Sequence, residues 1–154
     1  MITFEKARPQ DADRLAEVAK RAFAEDVAKY GFGPPGHDSA EEHRMFMSHA
    51  HYYKILEDGQ IIGGFCLIQE SPSCLELGII YVDPSLQSKG IGSQAMTFMH
   101  EEFPHITHWK LDTGFEAYRN HHFYQKAGYT IVGKTEPDAT GYHKIVFEKL
   151  LTGQ

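Results

Sequence analysis

Between residues 77 and 103 the chain changes its hydrophobic period, and a proline marks where. The apolar run Leu77 to Val82 ends at Asp83-Pro84, because proline donates no hydrogen to a sheet ladder. Gln87-Ser88-Lys89-Gly90-Ile91-Gly92-Ser93 follows, and Ile91, Ala95, Phe98 and Met99 then recur at helical spacing. The stretch predicts a strand, a tight loop and a helix. Glycines at 90 and 92 let backbone N–H groups close on a ligand, and a helix start adds positive partial charge. That combination suits phosphate, although a lone Gly-x-Gly is more often only a turn. The three-glycine dinucleotide fingerprint, with its acidic residue about 20 positions on, is missing, as is the Gly-Lys-Ser/Thr of a Walker loop.

Elsewhere the chain reads as one domain spanning 1–154, long enough for its own core. Its 42% hydrophobic content suits a globular protein. No segment approaches the roughly 18 apolar residues of a membrane span, and the N-terminus lacks the apolar core of a signal peptide. Cys66 and Cys74 form no disulfide framework and lack metal-ligand spacing, so they are expected to be buried free thiols. A reducing, cytoplasmic location follows as the expectation. The net charge of −6, from 21 acidic and 15 basic residues, argues against a nucleic-acid backbone as the main partner. A few N–H groups and one or two lysines still suffice to hold a pyrophosphate. The 10 histidines include His49-Ala-His51 and His121-His122, but no His-Glu-x-x-His, and no metal is expected.

In chain order, Ile2 to Arg8 alternates as a strand, and Pro9-Gln10-Asp11 ends it. A helix follows with Asp11 or Asp13 near its N-cap. Leu15, Val18, Ala19, Ala22 and Phe23 make one apolar stripe. Tyr30 to Ala40, with three glycines and two prolines, is a loop. Its aromatics Tyr30 and Phe32 either fold over a ligand or tuck back onto the core. Ser39 and Glu42 form a capping box for a short helix to about His49. Tyr52 to Leu56 and Gln60 to Gln69 flank an Asp-Gly hairpin turn, and Gly63-Gly64 marks a bulge or a close backbone approach. Cys74 to Val82 is a strand, and Thr107 to Thr113 another, with Trp109 and Leu111 on one face. Tyr118 to Ala127 is a helix closed by Gly128. Tyr129 to Lys134 and Tyr142 to Leu150 are final strands. Helices interrupting mostly hairpin-linked strands imply an α+β domain of three layers, with a mixed sheet covered on both sides and its strand order undetermined.

The loop Gln-x-x-Gly-x-Gly behind Val-Asp-Pro, taken with Arg119-Asn-His-His-Phe-Tyr-Gln-Lys-Ala-Gly-Tyr129, resembles the GNAT superfamily of acyl-CoA N-acyltransferases. The resemblance covers nearly the whole chain, and the element order agrees. It implies a three-layer α/β/α fold around a central mixed sheet whose fourth and fifth strands splay apart, with acyl-CoA in the gap. It further implies that Gln87, Ser88, Lys89, Gly90, Ile91, Gly92 and Ser93 hold the CoA pyrophosphate. The backbone at Ile80, Tyr81 and Val82 would pair with the pantetheine amides like an added strand. Asn120 and Phe123 would complete the donor site. Many members carry an asparagine seven residues before the tyrosine, where this chain has Ala117, so Asn120 stands in a different place.

Tyr124 is implied as the catalytic acid that protonates the leaving thiolate, against the alternative of a core aromatic. Glu76, eleven residues before Gln87, stands where some members carry a glutamate base. Counting by two puts it on one face with Gly78, Ile80 and Val82; the alternative is an exposed strand-end carboxylate. The expected activity is N-acetyl transfer from acetyl-CoA, as co-substrate, to a primary amine of a small molecule or peptide in a ternary complex. A non-catalytic acyl-CoA-binding or sensing module is the alternative. Acylation of a charged tRNA would call for a basic patch absent from the sequence, and neither nucleic acid nor membrane is an expected partner. The oligomeric state is left open, a homodimer included. Glu25, Asp26, Glu76 and Glu116, with Tyr30, Phe32, Phe46 and Tyr52, fall on segments that border the acceptor side in the family. A cationic amine is favoured on that ground, a merely solvated acidic surface being the alternative.

Overall fold

Strand-forming segments joined by short turns place most of the sheet in sequence order. In the computed structural model, which describes residues 1–87 and 89–151, β1 (Ile2–Lys6), β2 (His51–Glu57), β3 (Gln60–Ser71) and β4 (Cys74–Val82) are successive antiparallel neighbours. Helix α4 (Ile91–Glu102) then carries the chain over the sheet to β5 (His108–Gly114), which lies parallel to β4. A crossover helix is what a parallel pair requires. The full order is β1-β2-β3-β4-β5-β7-β6, with β6 (Thr130–Lys134) on the edge and β7 (Lys144–Leu150) inserted beside β5. The strand order that the sequence left undetermined is thereby fixed.

The two faces bury separate apolar sets. On one, Phe65, Leu75, Leu77, Trp109, Leu111 and Phe147 pack beneath Ile91, Ala95 and Met99 of α4 and Tyr124 of α5 (Tyr118–Lys126). On the other, Leu15, Val18 and Ala19 of α1 (Ala12–Ala22) meet Tyr52, Cys66 and Tyr81. This is the expected three-layer α+β arrangement. A further helix, α2 (Ala24–Tyr30), was not expected: it buries no residue fully, so its sequence has no apolar period to read. It continues α1 through Phe23 and stops at Gly31. Asp11 stands at the N-cap of α1, as expected, although its side chain makes no cap bond. Its carboxylate accepts the Arg8 N–H at 2.8 Å and Lys54 Nζ at 2.9 Å, closing the turn before the helix. Ser39 does cap α3 (Ala40–His49), accepting the Glu42 N–H at 3.2 Å.

Two irregularities shape the middle of the sheet. Cys66 pairs with Ile79 but Leu67 with Leu77, so Gly78 is an extra residue in β4, a bulge. Gly63 lies so close to β4 that a Cβ there would sit 2.2 Å from the Tyr81 carbonyl oxygen, so both readings of Gly63-Gly64 have a counterpart. Most consequential is the parallel seam, where β4 and β5 pair only from Cys74–His108 to Leu77–Leu111. Beyond it the strands separate. Among the described residues no helix is long and apolar enough to cross a membrane.

Candidate active site

The separation of β4 from β5 leaves the outer edge of residues 78–82 without a ladder partner, and its backbone groups face a cleft. At the end of β4, Asp83 fixes the turn that follows. Its carboxylate accepts the Ser85 N–H at 3.0 Å and the Ser85 hydroxyl at 2.8 Å, and both oxygens meet the Arg21 guanidinium of α1 at 3.0 Å. Burial works to raise its pKa, but the two Ser85 donors and Arg21 hold it net below the usual carboxylate range.

The chain enters α4 through Gly90, whose φ of +78° falls in the left-handed region. Among the described residues no side chain caps this helix, and its first internal bond runs from Gln94 N–H to the Gly90 carbonyl. The N–H groups of Ile91, Gly92 and Ser93 therefore lack helical acceptors. Phe123 of α5 closes over this point, with its ring 3.0 Å from where a Gly92 Cβ would be. Helix α5 ends with Gly128 N–H bonded to the Gln125 carbonyl and Tyr129 N–H to that of Tyr124, a Schellman closure. This closure fixes Tyr124 against Phe147 and Tyr129.

Two clefts meet here. One, of about 590 Å³, brings together Ile80, Tyr81, Val82, Gln87, Gly90, Ile91, Gly92, Ser93, Asn120, Phe123 and Tyr124. Lys89 is not among its lining residues, and Ser88 lies outside the described residues. Tyr81 offers only its backbone, since its hydroxyl bonds that of Tyr52 on the opposite face of the sheet. Asn120 is tied to β5, its Nδ2 donating to Thr113 Oγ1 at 3.3 Å.

The second cleft, of about 550 Å³, shares Tyr124, Asn120, Ile80, Asp26 and Glu116 with the first and runs on past Asp112, Tyr30, Phe32 and Tyr142. Tyr124 forms the wall between them and is only 6% exposed. Burial first, and the nearby Asp112 carboxylate second, push its pKa up, so the phenol stays protonated.

Glu76 needs a correction. The Gly78 bulge reverses the alternation of β4, so Leu77, Ile80 and Val82 pack toward α4 while Ile79 and Tyr81 pack toward α1. Glu76 therefore does not share a face with Ile80 and Val82. It sits in the paired part of the seam, opposite Lys110, and lines neither cleft. Burial, with Glu70 and Asp112 as like charges, raises its pKa. Asp112, two residues beyond Lys110 on the same face of β5, is the carboxylate that reaches the cleft.

The acidic residues of the second cleft are not equivalent. Glu116 accepts the Tyr30 hydroxyl at 2.7 Å and lies 3.3 Å from Lys29 Nζ, which together hold its pKa down. Asp112 is 3.5 Å from Lys144 Nζ. Asp26 is raised, by burial first and by Glu25 second. Tyr30 and Phe32 do line the cleft, against Tyr142. Phe46 and Tyr52 do not. Phe46 packs toward α1, and Tyr52 is buried, its hydroxyl 2.6 Å from His43 Nδ1. Sequence reasoning missed Asp112, Tyr142, Lys29 and Lys144, for which strand and turn patterns give no signal. Among the described residues no three His, Cys, Asp or Glu side chains are grouped to hold a metal ion.

Comparison with known proteins places this geometry in context. The family described as "Acetyltransferase (GNAT) domain" matches residues 48–131, more than half the chain, from the end of α3 into β6. The Bacillus subtilis (strain 168) protein YrkN is 28% identical over 137 residues, covering 85% of this chain and 74% of that protein. The PaiA N-acetyltransferase of Thermoplasma acidophilum, solved in complex with coenzyme A, has a TM-score of 0.79 at 18% identity, over 97% of this chain and 99% of that one. The ribosomal-protein-S18-alanine N-acetyltransferase of Escherichia coli has a TM-score of 0.80 at 14% identity, over 100% and 96%. At such identities the structural matches establish the fold alone.

Proposed function

We propose, from the premise that this chain belongs to the GNAT acetyltransferase domain family, that it moves an acetyl group from acetyl-CoA to a primary amine of a small molecule or peptide. One observation carries the reading: the gap between β4 and β5 opens onto the uncapped start of α4, with a buried, protonated Tyr124 at the junction of two clefts. The first cleft takes the donor. Free N–H groups at 91–93 and the positive end of α4 suit a pyrophosphate, and the open edge of residues 78–82 suits the pantetheine amides.

In the reaction, the amine lone pair forms a C–N bond at the thioester carbonyl, and collapse of the tetrahedral oxyanion breaks the C–S bond. Free N–H groups of β4 are suited to stabilise that oxyanion. The CoA thiolate takes the Tyr124 proton, and the proton lost by the amine goes to a base. Glu76, the base assigned from the family pattern, lines neither cleft and would receive it only through water or another group such as Asp112, which does line the second cleft. Direct transfer is favoured over an acetyl-enzyme. Both cysteines are buried, neither lines a cleft, and burial pushes the Cys66 thiol up to about 12.

The unequal acidic residues of the second cleft favour a cationic acceptor over an anionic one. The experiment pairs calorimetric titration of CoA with free-thiol release from acetyl-CoA across a panel of amines. The reading expects saturable CoA binding and amine-dependent thiol release. Binding without release for any amine would favour a non-catalytic acyl-CoA-binding module.

A further inference from the structure

The second cleft has a direction. Asp26 and Tyr124 line both clefts, whereas Tyr30, Phe32 and Tyr142 line the second alone. These three aromatics come from three separate segments: the end of α2, the loop after it and the turn before β7. Tyr142 meets Tyr30 and Phe32 edge-on, each at 5.0 Å between ring centroids, and Phe32 remains 45% exposed. A solvent-facing aromatic cluster assembled this way is an apolar wall with an open side.

Charge is distributed along the same direction. Glu116 and Asp112 are ion-paired with Lys29 and Lys144, while Asp26 and its neighbour Glu25, which line both clefts, have no ion-pair partner among the described residues. The Tyr124 hydroxyl, on a side chain only 6% exposed, opens on the same junction without a hydrogen-bond partner among the described residues. The two lysines line the second cleft alone, Lys29 held on Glu116 and Lys144 on Asp112.

We infer that the acceptor is a monocationic amine with an aryl body. Its ammonium meets Asp26 at the junction, its ring lies on Tyr30, Phe32 and Tyr142, and the paired Glu116 and Asp112 leave no free carboxylate there for a second positive charge. This rests on the acetyl-transfer reading and narrows its substrate class. A polyamine would carry its extra charges into the lysine-flanked part of the cleft, where the acids that could receive them are already paired.

The test compares 2-phenylethylamine with spermidine as acceptors. It adds calorimetric binding of 2-phenylethylamine and of neutral 2-phenylethanol to the protein saturated with CoA, which reads the acceptor cleft without turnover. The expected kcat/KM for 2-phenylethylamine exceeds that for spermidine by about tenfold or more. Tyr142→Ala raises KM for 2-phenylethylamine by about tenfold and leaves CoA affinity unchanged. Asp26→Asn weakens the amine by about tenfold and leaves 2-phenylethanol unchanged. Spermidine turning over as well as or better than 2-phenylethylamine, or an Asp26→Asn protein that binds both compounds as before, overturns the inference. Thiol release with spermidine alone would do so while leaving acetyl transfer intact. Failure of CoA itself to bind would instead remove the parent reading.

Discussion

Tyr124 is held by packing rather than by its hydroxyl: its ring lies 5.8 Å from that of Phe147 and 6.1 Å from that of Tyr129, centroid to centroid. Removing the hydroxyl should therefore leave the fold and the donor cleft intact. Tyr124→Phe is expected to lower kcat by about 10²–10⁴-fold with little change in CoA affinity, measured by steady-state kinetics beside calorimetry. Parent-like turnover across the pH range would assign the acid to another group. The motif made Tyr124 legible, because the Phe-Tyr-x-Lys-x-Gly pattern ends a helix in a Schellman closure that fixes the side chain. Glu76 was legible as a residue but misread in direction. A period-2 count fails across the Gly78 bulge, and a bulge leaves no mark in the sequence beyond a glycine that has other uses. Comparing pH profiles separates the two carboxylates. Asp112→Asn is expected to depress kcat/KM near neutral pH more than Glu76→Gln does, with partial recovery at high pH where free amine is plentiful. The reverse order would return the base to Glu76.

At the scale of elements, the strand–loop–helix unit at 74–102 depends on two positions. Gly90 has open space where a Cβ would point, so a substitution there costs through its φ of +78° rather than through collision. Gly90→Val should weaken CoA binding by calorimetry while the far-ultraviolet dichroism stays native. Unchanged affinity would detach the loop from phosphate. Asp83 anchors the same loop. Its pKa is depressed in the folded protein, so its contribution to stability is full above the unfolded value of about 4 and is lost as pH falls through the folded value. Urea midpoints should therefore drop on acidification below about pH 4, and Asp83→Asn should flatten part of that drop; parallel curves would contradict the anchoring. Propensity and caps revealed α1, α3, α4, α5 and the hairpins, because each carries an apolar period or a turn dipeptide. Helix α2 carries neither, and is read only from its continuity with α1.

For the whole molecule, the three-layer architecture was legible because alternation between strands and amphipathic helices demands a sheet covered on both faces. The order β5-β7-β6 was not, since nothing local tells β7 to insert beside β5. The proposed donor cleft follows from that topology: the parallel seam, the one such pairing among the described residues, is where the sheet opens, and the loop, α4 and α5 converge on it. The second cleft is assembled from segments distant in sequence, α2, β5 and the 138–142 turn, which explains why Asp112, Tyr142 and the two lysines left no motif. The central claim is direct acetyl transfer at this junction, and mass spectrometry of one reaction tests it most directly. The protein is incubated with acetyl-CoA alone, amine is added, and protein, amine and CoA are weighed in the same quenched sample. The account predicts an unmodified protein throughout, and acetylated amine and free CoA appearing together in equal amounts only after the amine is added. An acetylated protein that forms before the amine and passes its group on, or no acetylated amine at all, would contradict it.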